Sequence, residues 1–199
     1  LYASLGSFCA LIGFIIVLGS GLAEVLSQTK VAHNLVYMVV NRFKLKSKKM
    51  AILISMITST LLVSLLGTLA GSNAIIAPIL IPIVASVGLT PSTLGVILHG
   101  AGATGLYVAP FVPPVVTITG LTGLSYGQYL ITAGIPLAVI VWGSTFFMAC
   151  RTQRKTEALE AYEESGEDAS AFVPDARCKR ATLAFLLVMA VMLGYGLVV

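Results

Sequence analysis

Apolar residues fill almost the whole chain between two basic segments, and short polar or glycine-rich breaks divide this block into helices. Positions 50 to 150 contain no Asp, Glu, Lys or Arg. A helix needs about 20 apolar residues to cross a bilayer, so the block predicts several membrane helices in an all-α polytopic fold. The predicted elements are a transmembrane helix 2–26, an interfacial helix 30–43, a re-entrant helical hairpin 52–88, a broken transmembrane helix 93–119, a transmembrane helix 128–149, a cytoplasmic linker 151–180 and a transmembrane helix 181–199.

The hairpin is predicted from a polar break at 71–74 and from the short segment that follows it. Residues 75–88 contain two prolines and rise only about 21 Å as a helix, less than the roughly 30 Å of the hydrocarbon core. Backbone that is interrupted at this depth needs protein or a wet cavity around it, so we expect the tip at 71–74 to face such a cavity. A hairpin that crosses fully and returns would also leave both basic segments on one side.

The next crossing, 93–119, carries three glycines and then three prolines. Gly100, Gly102 and Gly105 surround Thr104, and prolines follow at 110, 113 and 114. We predict two half-helices joined by an unwound stretch at 100–105, because proline and glycine both destabilise a helix interior. The alternative is a kinked helix whose glycines allow close packing. Two neighbouring interruptions at membrane depth are typical of a transporter binding site near the midplane.

The two predicted breaks together supply the groups of an ion or anion site. The amides at a half-helix N-terminus suit a carboxylate, and hydroxyl, amide and carbonyl oxygens suit Na⁺. Ser72 and Asn73 are the main candidates for Na⁺, and Thr104 is expected to face them from the second break. The candidate binding residues are Gly71, Ser72, Asn73, Ala74, Gly102, Thr104 and Gly105. A simple Ser or Asx turn at the hairpin tip is compatible with this role.

Other hydroxyl groups of the same segment are assigned to helix packing or to bonds with their own helix backbone. They are Ser59, Thr60, Ser64 and Thr68.

His99 is the one titratable candidate for coupling inside the block, where no carboxylate is available to pair with it. A proton or substrate role and a neutral packing role both remain open for this residue. Sodium needs only oxygen ligands, so the sequence favours Na⁺ over H⁺ as the coupling ion. We expect no cofactor beyond that ion.

Composition and charge support a membrane protein and give its orientation. Hydrophobic residues make up 57% of the chain, charged residues 10%, and the mean hydropathy is +0.98. The basic residues lie mainly at 42–49 and 151–180, and the positive-inside rule predicts that both segments are cytoplasmic in a multi-pass protein of the cell (inner) membrane. The net charge of +4 is therefore an orientation signal and does not indicate nucleic-acid binding. The chain opens on Leu1 and ends in an apolar run, which suggests a longer polypeptide.

The stretch 67–78, with Ser72 and Asn73 near its centre, followed by 100–105, resembles one repeat of the ion transporter superfamily of secondary carriers. This superfamily includes divalent-anion/sodium symporters, C-type sodium/proton antiporters and gluconate or dicarboxylate permeases. In its divalent-anion branch a Ser-Asn-Thr motif at a hairpin tip binds sodium and a substrate carboxylate. Ser72 and Asn73 match the first two positions of that motif, and Ala74 replaces the third.

The resemblance implies a secondary active transporter in the lipid bilayer that couples Na⁺ to a small organic anion. It also implies a homodimer built from two inverted repeats, of which this chain contains one. A sodium/proton antiporter is the alternative within the same superfamily.

Two further classes of function are alternatives to transport. An intramembrane serine hydrolase would use Ser72 and His99, but the chain has no acid in the block to orient the imidazole and no Gly-x-Ser-x-Gly motif. A passive channel subunit would use the same broken helices to line a pore. The sequence favours a transporter over both and does not predict an enzyme.

Overall fold

The computed structural model describes residues 13–42, 47–162 and 174–198 and the single positions 6 and 10. Over this part of the chain the fold is all-α, without strands, as the sequence predicts. The described helices are α1 (Phe14–Gln28), α2 (Val31–Arg42), α3 (Lys48–Leu66), α4 (Leu69–Ala85), α5 (Pro91–Val108), α6 (Pro113–Thr122), α7 (Tyr126–Thr156, with a π turn at Leu130–Gly134) and α8 (Ala176–Val198).

Helices α3 and α5 form the centre of the bundle and run parallel to each other. Their register is set by hydroxyl groups of α3 that donate to carbonyl oxygens of α5: Ser59 to Leu98, Thr60 to Ala101 and Ser64 to Gly105. Residue numbers increase in the same direction along both helices, so the intervening α4 must run back between them. The chain therefore reverses its direction within the segment 52–88.

Helix α7 packs against α5 in the opposite direction. Near the start of α5, the Thr90 amide donates to Gln153 Oε1 at 3.1 Å. At the other end of α5, the hydroxyl of Tyr129 donates to the carbonyl of Tyr107 at 3.0 Å. Antiparallel packing thus brings the last turns of α7 back to the end of the bundle where α3 and α5 begin.

A network of polar groups joins three elements at this end. Gln153 is buried, and its amide nitrogen donates to the carbonyl of Gly88 at 2.9 Å while its oxygen accepts from Thr90. The hydroxyl and amide of Ser92 both donate to the Glu160 carboxylate. Lys48 forms an ion pair with Glu157. The structure therefore places the starts of α3 and α5 beside the end of α7, so the described parts of both basic segments share one end of the fold.

The flanking helices differ from their predicted boundaries by one to seven residues where the structure describes them. The helix predicted at 30–43 is Val31–Arg42, and the one predicted at 181–199 begins earlier, at Ala176. Asn34, which is buried, donates to Thr182 Oγ1 at 2.8 Å and so fixes α2 against α8. The helix predicted at 128–149 continues into the linker as far as Thr156. Most of the first half of predicted helix 2–26, and linker residues 163–173, lie outside the described residues.

Three helical stretches among the described residues are long and apolar enough to cross a membrane: Lys48–Leu66, Pro91–Thr122 and Tyr126–Thr156. The shorter apolar helix Leu69–Ala85 has 17 residues and rises about 26 Å. It starts earlier than the predicted return segment 75–88, because the chain reverses before Gly71. The predicted length of the return segment, which favoured a re-entrant hairpin, was therefore too short. A hairpin that crosses the membrane fully and returns fits the observed helix lengths as well.

Cysteine labelling of the full-length protein tests this path. In a cysteine-free background, a cysteine at Ser92 is expected to react from the side of the basic segments, and one at Thr122 from the opposite side. The reason is that α5 runs from the basic end of the bundle to the other end. Reaction of both positions from the same side would contradict the fold. A cysteine at the exposed Ala70 distinguishes the two forms of the hairpin. If the hairpin crosses the membrane completely, this cysteine is expected to be labelled from the side of Thr122, and if the hairpin is re-entrant it is not.

Candidate functional site

The chain reverses between α3 and α4 at Gly67 and Thr68, ahead of the predicted tip at 71–74. Gly67 has φ +72°, a left-handed conformation that glycine adopts without the steric cost of a Cβ atom, and its amide donates to Val63 O at 2.9 Å. Thr68 is extended and forms the N-cap of α4. The predicted tip is therefore wrong by about one helical turn.

The residues of the predicted tip form the first turns of α4. Ser72 is buried, and its hydroxyl donates to the carbonyl of Thr68 in the preceding turn. A Cβ atom on Gly71 would lie 2.8 Å from Thr68 Oγ1, so glycine leaves room for the N-cap side chain. Ala74 is exposed. Of this group, Asn73 alone forms a side-chain hydrogen bond that the structure records to a different helix.

Asn73 faces the middle of α5. Its Nδ2 donates to the carbonyl oxygen of Leu98 at 3.3 Å. Its Oδ1 is buried and has no hydrogen-bond partner among the described residues. An unsatisfied buried amide oxygen costs free energy comparable to a lost hydrogen bond, so it is a strong candidate ligand for a cation or a donor group. Leu98 lies near the middle of α5, which places this oxygen at mid-depth in the bundle.

The predicted unwound stretch at 100–105 is not present. Helix α5 is continuous from Pro91 to Val108, and the interruption falls later, at residues 109–112. Pro110 and Pro113 cause it, since proline disfavours the helical conformation in the residue before it, and Ala109 and Val112 accordingly have ψ 135° and 146°. The second break therefore exists, but it lies at one end of α5 and away from Asn73.

The glycines of α5 instead allow the helices to approach closely, which was the alternative interpretation. A Cβ atom on Gly105 would lie 2.7 Å from the backbone oxygen of Thr60 and 2.8 Å from the amide nitrogen of Ser64. One on Gly102 would lie 2.7 Å from Leu69 Cδ1. Gly102 and Gly105 thus act through packing in this structure.

Thr104 and His99 do not join Ser72 and Asn73. Thr104 is buried, and its hydroxyl donates to Gly100 O of its own helix at 3.3 Å. His99 lies on the exposed face of α5, whereas Ser72 is buried and bonded to its own helix. The serine and imidazole that a hydrolase would require are therefore not assembled.

The sequence assigned the hydroxyl groups of α3 to packing or to their own helix and did not predict that they bond to the carbonyl oxygens of α5. Ser59 is buried and donates to Leu98 O at 3.4 Å, the same oxygen that Asn73 contacts. Thr60 donates to Ala101 O at 2.8 Å and accepts from Trp142 Nε1 at 3.1 Å. Their assignment to helix packing agrees with these bonds. The available signal was that small polar residues on one helix and glycines on another permit such contacts.

The chemistry offered by this region is that of neutral oxygen ligands. The described residues contain no group of three or more His, Cys, Asp or Glu side chains that could hold a transition metal. Amide, hydroxyl and main-chain carbonyl oxygens surround the contact between Asn73 and Leu98, and hard cations such as Na⁺ prefer oxygen ligands. A buried amide oxygen at mid-depth is suited to a desolvated monovalent cation.

An all-α bundle whose described part has several helices able to cross a bilayer is that of a multi-pass membrane protein. Residues 6–147 match the Na⁺/H⁺ antiporter family, and the chain belongs to that family. By family it is therefore a secondary transporter. No curated protein and no solved structure matches the chain.

Proposed function

We propose that the protein exchanges Na⁺ for H⁺ across the membrane and binds Na⁺ at Asn73. The observation that carries the proposal is the buried Oδ1 of Asn73, which has no partner among the described residues. Rotating the side-chain amide by 180° would not satisfy this oxygen, because the rotation would break the hydrogen bond from Nδ2 to Leu98 O. Binding of Na⁺ would satisfy the oxygen without disturbing that bond.

The distribution of charge supports Na⁺ as the ion at this site. Positions 50 to 150 contain no carboxylate, and His99 is exposed, whereas the Oδ1 of Asn73 is buried. A neutral site gains its selectivity from the number and spacing of oxygen atoms, and it does not titrate near neutral pH. The proton that is exchanged is therefore carried by groups other than the ones that contact Na⁺.

A small organic anion is the second candidate substrate, with Na⁺ as its coupling ion. The first turn of α4 favours it, because the amides of Leu69, Ala70 and Gly71 have no acceptor within their own helix and no carboxylate lies in this part of the sequence. The proposal also includes a homodimer whose subunits each have two inverted repeats, as the resemblance implies. The start of α4 would then lie opposite the corresponding helix start of the other repeat.

Proteoliposomes with the full-length protein test the proposal. Vesicles loaded with Na⁺ and diluted into Na⁺-free buffer at constant membrane potential are expected to acidify inside, because each Na⁺ that leaves is exchanged for H⁺. The rate is expected to saturate with Na⁺. Uptake of a carboxylate from a panel, driven by Na⁺ without a change in internal pH, would instead establish the second candidate.

Two other outcomes would contradict the proposal. Ion flux that rises linearly with Na⁺ and never saturates would indicate a pore. Transport that follows a pH gradient in the absence of Na⁺, and that is lost in His99→Gln, would make His99 the coupling residue.

A further inference from the structure

The carbonyl oxygen of Leu98 receives more donors than it can satisfy. Ser59 Oγ and Asn73 Nδ2 donate to it at 3.4 Å and 3.3 Å. Because α5 is a regular helix through this point, the amide of Gly102 also points at the same oxygen. A carbonyl oxygen has two lone pairs, so three donors cannot all be accommodated well. The two side-chain bonds are accordingly long, and the hydroxyl of Ser59 is held only weakly.

Ser59 also has unused acceptor capacity. A hydroxyl that donates one hydrogen keeps two lone pairs, and no donor to Ser59 Oγ is recorded among the described residues. The side chain is fully buried beside Gly102, where a Cβ atom would lie 3.1 Å from Ser59 Oγ and 2.7 Å from Leu69 Cδ1, so glycine lets α4 and α5 approach Ser59 closely. Thr60 differs, because its hydroxyl oxygen already accepts from Trp142.

Two buried oxygens with free lone pairs therefore lie on side chains that share one acceptor, the Ser59 hydroxyl on α3 and the Asn73 amide on α4. We infer that Ser59 Oγ is a second side-chain ligand of the monovalent cation, so that the site bridges α3 and α4. This inference rests on the proposed function. When the cation binds, the Ser59 hydroxyl turns away from Leu98, and Leu98 O keeps two donors for its two lone pairs.

Ser64 provides the matched control for this inference. It lies on the same helix and donates to an α5 carbonyl, Gly105 O, at 3.3 Å, but that carbonyl has no second side-chain donor recorded. If hydroxyls on this face of α3 act only in packing, Ser59→Ala and Ser64→Ala will behave alike. A ligand at Ser59 predicts that they differ.

The experiment measures Na⁺-driven proton movement in proteoliposomes of the full-length protein. Ser59→Ala is expected to raise the Na⁺ concentration for half-maximal rate about tenfold, as for the loss of one contact to a charged group, and Ser64→Ala less than about twofold. Ser59→Cys keeps the volume but replaces a hard oxygen with a soft sulfur. It is expected to raise the same concentration and to change the ratio of Li⁺ to Na⁺ transport, which a packing role would not do.

The outcomes separate this inference from the proposed function. Unchanged Na⁺ dependence and Li⁺ to Na⁺ ratio in Ser59→Cys, together with a loss in Asn73→Ala, would overturn the role of Ser59 and leave the Asn73 site intact. Unchanged Na⁺ dependence in both variants would overturn the site as a whole. If Ser59→Ala does not fold, Ser59→Cys decides alone.

Discussion

Gly105→Ala is expected to lower the free energy of unfolding by about 1 to 3 kcal/mol, the usual cost of forcing extra volume into a packed interface. The new methyl group would meet the backbone oxygen of Thr60 at 2.7 Å and the amide nitrogen of Ser64 at 2.8 Å. Backbone atoms cannot rotate away as a side chain can, so the two central helices would have to separate. Thermal unfolding of the detergent-solubilised protein measures the effect.

Gly95→Ala is the control for this substitution. Gly95 lies on the same helix, is exposed, and has no atom within 4 Å of the position that its Cβ would take. Alanine there is expected to leave stability unchanged or to raise it by up to about 1 kcal/mol, because alanine has the better helix propensity. Equal unfolding temperatures for the two alanine variants would show that α3 and α5 are not in backbone contact at Gly105.

Asn73→Ala is expected to abolish Na⁺-dependent transport and the stabilisation of the protein by Na⁺. Anything that binds the folded state alone raises its stability, by about 2.7 kcal/mol at 100 times the dissociation constant. The wild-type protein is therefore expected to unfold at a higher temperature in NaCl than in the chloride salt of a bulky organic cation. Without the Oδ1 of Asn73 this difference disappears, whereas stability without Na⁺ changes little because an unsatisfied oxygen is removed as well.

Asn34→Ala controls for the loss of a buried amide. Asn34 is the residue that donates to Thr182 Oγ1, and both partners are buried. Its alanine variant is expected to be less stable in every buffer but to keep the full Na⁺-dependent increase in unfolding temperature. A Na⁺-dependent increase in Asn73→Ala as large as in the wild type would rule out Asn73 as a ligand.

The sequence was sufficient for the features that depend on composition and charge. The absence of charged residues from 50 to 150 correctly predicts a membrane helical fold, and the basic segments correctly predict which loops share an end. These features follow from the cost of placing charge in hydrocarbon, which is large compared with any local preference. The reversal of the chain inside 52–88 was predicted instead from the polar break at 71–74 and from the short segment that follows it.

The positions of the two breaks could not be predicted from the sequence, because glycine has two structural roles that the sequence does not distinguish. Gly67 permits a left-handed turn, whereas Gly105 allows close contact with another helix, and only the neighbouring helix distinguishes them. Asn73 was identified from the sequence as a candidate. Its partner Leu98 was not identified, since every residue has a main-chain carbonyl and the sequence does not show which one accepts a hydrogen bond.

The contact between Asn73 and Leu98 has a consequence for how the protein moves. Among the described residues, it is the single side-chain hydrogen bond recorded between α4 and another helix, whereas α3 and α5 are joined by several. Hydrogen bonds therefore join α3 and α5 at several points, whereas α4 is held mainly by the apolar packing of Ile76, Leu80 and Val84. Because the amide that forms this bond also offers the candidate ion ligand, occupancy of the site and the position of α4 are thermodynamically linked. Alternating access in the proposed exchange of Na⁺ for H⁺ would require such a linkage, and Asn73 is the side chain placed to provide it.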